Sequence, residues 1–230
     1  MIVTQHKIYT ALSILFTMLI VLGNIVCQKF VYLPILSLHT FELSAGCILY
    51  PVTYMLSDLI AEFYGKESAR YCIRVAMAMN IIMALLLAFI DQLTATQWSE
   101  VDNVVFHKVF GLYSIFLLGS LLACYISQYV DITIYLLMRR ITRGKIIWLR
   151  SLVSTSLSLF IDTCVVVCFI ALFGALPLEQ ISSLVFNSYL YKLCASVCCV
   201  PLLYAGILFI NRITSGKFEI STSKNYVEIA

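Results

Sequence analysis

Five ionisable side chains stand inside apolar stretches that should hold none: Asp58, Glu62, Asp131, Asp162 and Lys192. The amides Asn24, Gln28, Asn80 and Gln128 accompany them. On insertion scales a charge costs about 2.5–3.5 kcal/mol at the centre of a spanning helix, so such groups face a bundle interior or a wet cavity and mark functional sites. An ionised carboxylate there can only accept hydrogen bonds, and it can accept two parallel ones. Four acids against one base give this interior a formal sum of −3. That sign suits a cation, a proton or a neutral ring rich in donors.

Spacing assigns these groups to faces. Asp58 and Glu62 are i,i+4 and share a helical stripe; Gln128 and Asp131 are i,i+3; Ser154, Ser158 and Asp162 repeat every fourth residue. Three polar stripes on apolar helices are expected to converge on a common interior, although Ser154 and Ser158 also fit plain interhelical hydrogen bonds. Depth follows from the helical rise of about 1.5 Å per residue. Asp162 lies 13 residues beyond Leu149 and Lys192 lies 8 beyond Leu184, or about 20 Å and about 12 Å from opposite faces. In a hydrocarbon core of about 30 Å these depths nearly coincide, so Asp162 and Lys192 are expected to pair near midplane. Asp58 and Asp131, each under about 10 Å from the cytoplasmic face, form an inner layer. Glu62 is expected at the interface, within reach of Arg70 or Arg74.

The elements that must carry these stripes are transmembrane helices. Of 230 residues 62% are hydrophobic and 12% charged, about half the charged fraction of a soluble domain. Six runs are long enough to span: Ile8–Cys27, Leu43–Glu62, Tyr71–Leu93, Gly111–Met138, Leu149–Phe173 and Leu184–Ile210. The fold class is therefore all-α, a polytopic bundle of six transmembrane helices, with residues 1–212 as one domain and 213–230 as a polar cytoplasmic tail. The first run is read as a mature helix, since it is too long for a signal-peptide core and lacks a small-residue cleavage site. Phe63–Arg70 and Arg139–Trp148 connect on one side; Gln28–Glu42, Thr94–Phe110 and Gly174–Ser183 connect on the other. Twelve Lys and Arg residues fall to the first side, the termini included, and only Lys29 and Lys108 to the second. By the positive-inside rule both termini are cytoplasmic.

Several classes of function are excluded by what is missing. There is no HExxH, no Gly-x-Ser-x-Gly turn and no paired catalytic Asp motif, and His6, His39 and His107 lie outside the spanning runs. An enzyme is not expected. The nine cysteines show no zinc spacing and sit mostly in apolar runs, where they act as small hydrophobes; neither a metal nor another cofactor is expected. No basic run interleaved with aromatics points to nucleic acid.

The segments Ser57-Asp-Leu-Ile-Ala-Glu-Phe-Tyr-Gly65, Ser127-Gln-Tyr-Val-Asp131, Ser154-Thr155 and Ile161-Asp-Thr163 resemble the queuosine precursor transporter family, also called vitamin-uptake-transporter-like. The resemblance extends from Asn24 to Lys192 in order and spacing. It implies a six-helix importer of the cell inner membrane that carries 7-deazaguanine bases for salvage into tRNA modification: 7-cyano-7-deazaguanine, 7-aminomethyl-7-deazaguanine or queuine. It implies a substrate-binding set of Asn24, Asp58, Gln128, Asp131, Ser154, Asp162 and Lys192. Asp131 and Asp162 would accept from the base edge or amine, Asn24 and Gln128 would add amide contacts, and Tyr54 or Phe160 would stack on the ring. The chain departs from the family pattern at Leu159, where members often carry Gln or Asn. The partners implied are the deazaguanine base and the lipid bilayer; a homo-oligomer or an energising subunit is compatible with both. The alternative is the substrate-binding subunit of an ATP-driven importer, also six-helical, which often docks through a small-xxx-small stripe on helix one; here that helix offers only scattered Ala11, Ser13 and Gly23.

Overall fold

A computed structural model describes residues 2–27, 29–35, 39–110, 113–142, 146–172 and 178–214. The elements are α1 (Ile2–Val26), β1 (Phe30–Ile35), β2 (His39–Ser44), a 3-10 turn (Ala45–Ile48), α2 (Tyr50–Asp91), α3 (Asn103–Phe110), α4 (Tyr113–Ile141), α5 (Ile147–Leu172) and α6 (Leu178–Ile213). Five of these helices are long and apolar enough to cross a membrane. Their outer faces carry large hydrophobes such as Leu85, Phe89, Leu208 and Phe209, each more than 60% exposed. That inverts a soluble fold and matches contact with lipid tails.

The second of these, α2, accounts for two passes. Its 42 residues would span about 63 Å if straight, twice the hydrocarbon core. It breaks at Gly65, which adopts φ 80° and ψ 177°, a conformation open to glycine because it has no Cβ. Contacts with α1 show that the chain reverses there. Just before the first arm Gly46 of the 3-10 turn abuts Gly23, and at its far end Tyr64 packs on Tyr9, ring centroids 5.0 Å apart. In the second arm Tyr9 bonds the Ser68 carbonyl and Asn24 bonds Asn80. One arm thus runs antiparallel to α1 and the other parallel, giving six passes in all. The expected connection Phe63–Arg70 is helical on both sides of this single non-helical residue.

Several boundaries differ from the sequence reading. The stretch Gln28–Glu42, expected as a loop, holds most of a β-hairpin in which Phe30 pairs with Ser44 and Ile35 with His39. The second run does not start as helix at Leu43: β2 continues to Ser44 because Phe41 and Leu43 bury their side chains against Tyr191 of α6, and the helix begins at Tyr50 with Pro51 in its first turn, where a missing N–H costs nothing. Thr94–Phe110 contains α3, capped by Asp102, whose Oδ1 accepts from Val105 N at 2.7 Å. His107 pins α3 to Asp91 at the end of α2, 2.7 Å away. His6, expected outside the spanning runs, sits in the first turns of α1. The helix α6 starts six residues before Leu184. The polar tail after Thr214 lies outside the described residues.

Candidate functional site

The polar stripes converge. Asn24, Asp58, Gln128, Asp131, Ser154, Asp162 and Lys192 are all at most 5% exposed, in a protein whose perimeter is hydrophobic. They stack in four layers between the hairpin end and the Gly65 end of the bundle.

Nearest the hairpin is an amide cluster. Asn24 Nδ2 donates to Asn80 Oδ1 at 2.8 Å, Ser120 Oγ donates to Asn24 Oδ1 at 2.6 Å, and Asn80 Nδ2 donates to the Ala76 carbonyl. Asn24 therefore has a tying role between α1, α2 and α4.

The next layer is an ion pair. Lys192 Nζ lies 2.7 Å from Asp162 Oδ2 and 4.6 Å from the centroid of the Tyr50 ring. Ser127 Oγ donates to the other oxygen, Oδ1, at 3.4 Å. The expected pairing of Asp162 with Lys192 is thus present.

One turn further, Gln128 Nε2 donates to Thr53 Oγ1 at 3.4 Å. Ser158 Oγ donates to Asp131 Oδ1 at 3.2 Å, and Ser151 Oγ donates to Asp58 Oδ2 at 2.5 Å. Ser154 and Thr155 also stand beside Asp131, and Asp58 faces it across the α2–α4 contact. Ser154 itself donates to the Ser151 carbonyl at 3.1 Å. Ser151 belongs to the site but was not singled out from sequence, and Thr155 entered only with the Ser154-Thr155 segment; the i,i+4 stripe used for α5 selects 154, 158 and 162 and skips the flanking positions.

The last layer closes the Gly65 end. Glu62 accepts from Arg150 Nη2 at 3.3 Å and from the Tyr135 hydroxyl at 3.1 Å, with Arg139 Nη1 3.7 Å from it. Arg150 is fully buried, and its guanidinium lies 5.1 Å from the Tyr135 ring centroid. Two expectations are corrected here. Glu62 does not pair with Arg70 or Arg74; Arg70 instead stacks on Tyr129 at 3.8 Å and reaches Glu67. The interior sum is not −3 either. Arg150 and Arg139, assigned to a cytoplasmic loop by their sequence neighbours, turn inward, so four acids face three bases and the sum is −1. The aromatic expectations also divide: Tyr54 is 1% exposed inside the bundle, whereas Phe160 is 57% exposed on the outer face and cannot stack on an interior ligand.

Among the described residues, four oxygens in these layers are buried without a hydrogen-bond partner: the carboxylate and amide acceptors Asp58 Oδ1, Gln128 Oε1 and Asp131 Oδ2, and the Tyr54 hydroxyl. A buried acceptor left unsatisfied costs about 1–3 kcal/mol, and orphans of this kind mark strain or function. No group of three or more metal-ligating side chains occurs among the described residues. A cleft of about 530 Å³ opens elsewhere, at the Gly65 end between α1 and α2, lined by Tyr9, Tyr64, Tyr71 and Arg74 among others; none of the interior acids lines it.

Charged and amide side chains enclosed by helices with lipid-facing perimeters define a multi-pass membrane protein. Residues 44–206 match the family described as "Putative vitamin uptake transporter", and the chain belongs to that family. It is similar to a "Probable queuosine precursor transporter" of Bacillus subtilis (strain 168), with 28% identity over 185 residues that cover 79% of each chain. No solved structure matches.

Proposed function

We propose that this chain imports queuosine precursors, 7-deazaguanine bases such as 7-cyano-7-deazaguanine, 7-aminomethyl-7-deazaguanine or queuine, across the cell inner membrane with both termini cytoplasmic. The observation that carries the reading is the set of unpartnered acceptors on α2 and α4: Asp58 Oδ1, Gln128 Oε1 and Asp131 Oδ2. A guanine-type edge presents a ring N–H and an exocyclic amine side by side, which is the complement of a carboxylate that accepts two parallel bonds. Discrimination is strong when a buried acceptor set must be satisfied, because a ligand without the donors leaves it unpaired. The name of the Bacillus relative and the family membership point the same way. The Lys and Arg asymmetry supports the orientation.

In this reading Asp131 grips the donor edge, with Gln128 one turn away and Ser154 and Ser158 orienting the carboxylate. Asp162 is committed to Lys192, so that pair bounds the site from the hairpin side and Tyr54 covers it. Asn24 holds α1 against α2 and α4 above. The test is salvage: in cells lacking both precursor synthesis and their own importer, expression of the chain with supplied base restores queuosine in tRNA. Unmodified tRNA under those conditions, with the protein present in the membrane, refutes the reading.

A further inference from the structure

The interior charge leaves one negative charge to be explained. Asp162 is matched by Lys192 and Glu62 by Arg150 and Arg139. Asp58 and Asp131 face each other, both fully buried, with one unpartnered oxygen apiece. Two ionised carboxylates can only accept, so they repel unless a proton lies between them. One proton makes the contact a charge-assisted hydrogen bond and brings the interior sum from −1 to zero.

We infer that the Asp58–Asp131 pair binds one coupling proton, carried on Asp58, and that this proton moves inward with the base. The assignment to Asp58 follows from donor accounting. Thr155 and Ser158 stand against Asp131 with hydroxyls that can donate to a carboxylate, Ser154 donating instead to the Ser151 carbonyl, whereas the one hydroxyl donating to Asp58 is that of Ser151. A protonated Asp58 becomes a donor that aims Asp131, leaving Asp131 ionised to accept from the base. Without the proton the two acids push apart and the acceptor is not held. The groups facing the pair are Glu62 and Tyr54 on α2, Tyr135 and Gln128 on α4, and Arg150 and Asp162 on α5, with Lys192 of α6 beyond Asp162. Arg150 is the cation nearest Asp58, and Glu62 already engages it. Sodium is a weaker fit, since it leaves the acid–acid contact without a donor.

This inference rests on the import reading, and the experiment separates the two. The purified chain is placed in liposomes with a pH dye inside and the membrane potential clamped, and 7-cyano-7-deazaguanine is added outside. That base is neutral, so protons that enter with it ride on the protein. The lumen acidifies by about one proton per base, and an imposed inward gradient of one pH unit gives about tenfold accumulation. Asp58→Asn abolishes both responses. In wild-type membranes dicyclohexylcarbodiimide, which modifies protonated carboxyls in hydrocarbon, labels Asp58, and labelling falls as pH rises. Base entry without acidification, accumulation that follows a sodium gradient instead, or carbodiimide labelling confined to other residues overturns the inference while leaving import intact. No base entry at all overturns import and the inference together.

Discussion

The Asp162–Lys192 pair offers the sharpest test of the packing account. At 2.7 Å, with both residues at most 5% exposed, each ion depends on the other for solvation. Removing one partner of a buried pair costs about 3–5 kcal/mol, because the remaining charge is stranded. Lys192→Met keeps the length and apolar volume but strands Asp162, with Ser127 at 3.4 Å as its remaining donor. In a chain of this size 1 kcal/mol moves the melting temperature by roughly 2–4 °C, so the apparent Tm in detergent should fall by about 6–20 °C. Asp162→Asn should do the same from the other side. The double variant Asp162→Leu with Lys192→Met removes both charges and should recover most of the loss, since apolar replacement of a whole buried pair is often neutral or better. Thermal unfolding followed by a thiol-reactive dye or by circular dichroism supplies the readout. A Lys192→Met protein within about 2 °C of the parent, a shift worth no more than about 1 kcal/mol, would refute the claim that the two ions solvate each other.

Glu62→Gln leaves Arg150 and Arg139 without their counter-charge and should cost near the lower end of about 3–5 kcal/mol, measured by the same unfolding assay. Gly46→Ala drives a methyl into the backbone of Gly23; overpacking of that kind costs about 1–3 kcal/mol, read as lowered Tm. Gly65→Ala meets no neighbour but must hold φ 80° and ψ 177°, so it should destabilise by about 1–3 kcal/mol through conformation alone. Ser151→Ala removes the donor to Asp58 Oδ2 and should shift the pH profile of uptake while leaving the amount of membrane-inserted protein within twofold, checked by immunoblot.

Much of the site was legible in the sequence because hydrocarbon makes polar residues conspicuous. Asp131 and Asp162 stand out against Val, Ile and Leu, and helical periodicity puts them on inward stripes without any tertiary information. The pairing of Asp162 with Lys192 was equally legible. Arg150 was not. Its neighbours Arg139, Arg140, Arg143 and Lys145 read as cytoplasmic, and only the tertiary packing reveals Arg150 as the partner of Glu62. The β-hairpin was hidden for a different reason: Phe41 and Leu43 are apolar enough to extend a helix run, and their burial against Tyr191 is a long-range contact. Phe160 shows the limit of composition, since an aromatic at a spanning position suits lipid and ligand equally until the bundle fixes its face. The reversal at Gly65 was legible as the Phe63–Arg70 connection between two spans, but not that one non-helical glycine makes it.

The central claim is that interior acceptors on α2 and α4 take hold of a donor-rich base and that this chain alone carries it across. Uptake of radiolabelled queuine by liposomes containing only the purified protein measures it directly, with Asp131→Asn alongside. The account predicts saturable uptake without a partner subunit, and a KM for Asp131→Asn raised roughly tenfold to 150-fold, the equivalent of one hydrogen bond to a charged group. No uptake by the wild-type protein, or uptake by Asp131→Asn at the wild-type KM, would contradict it.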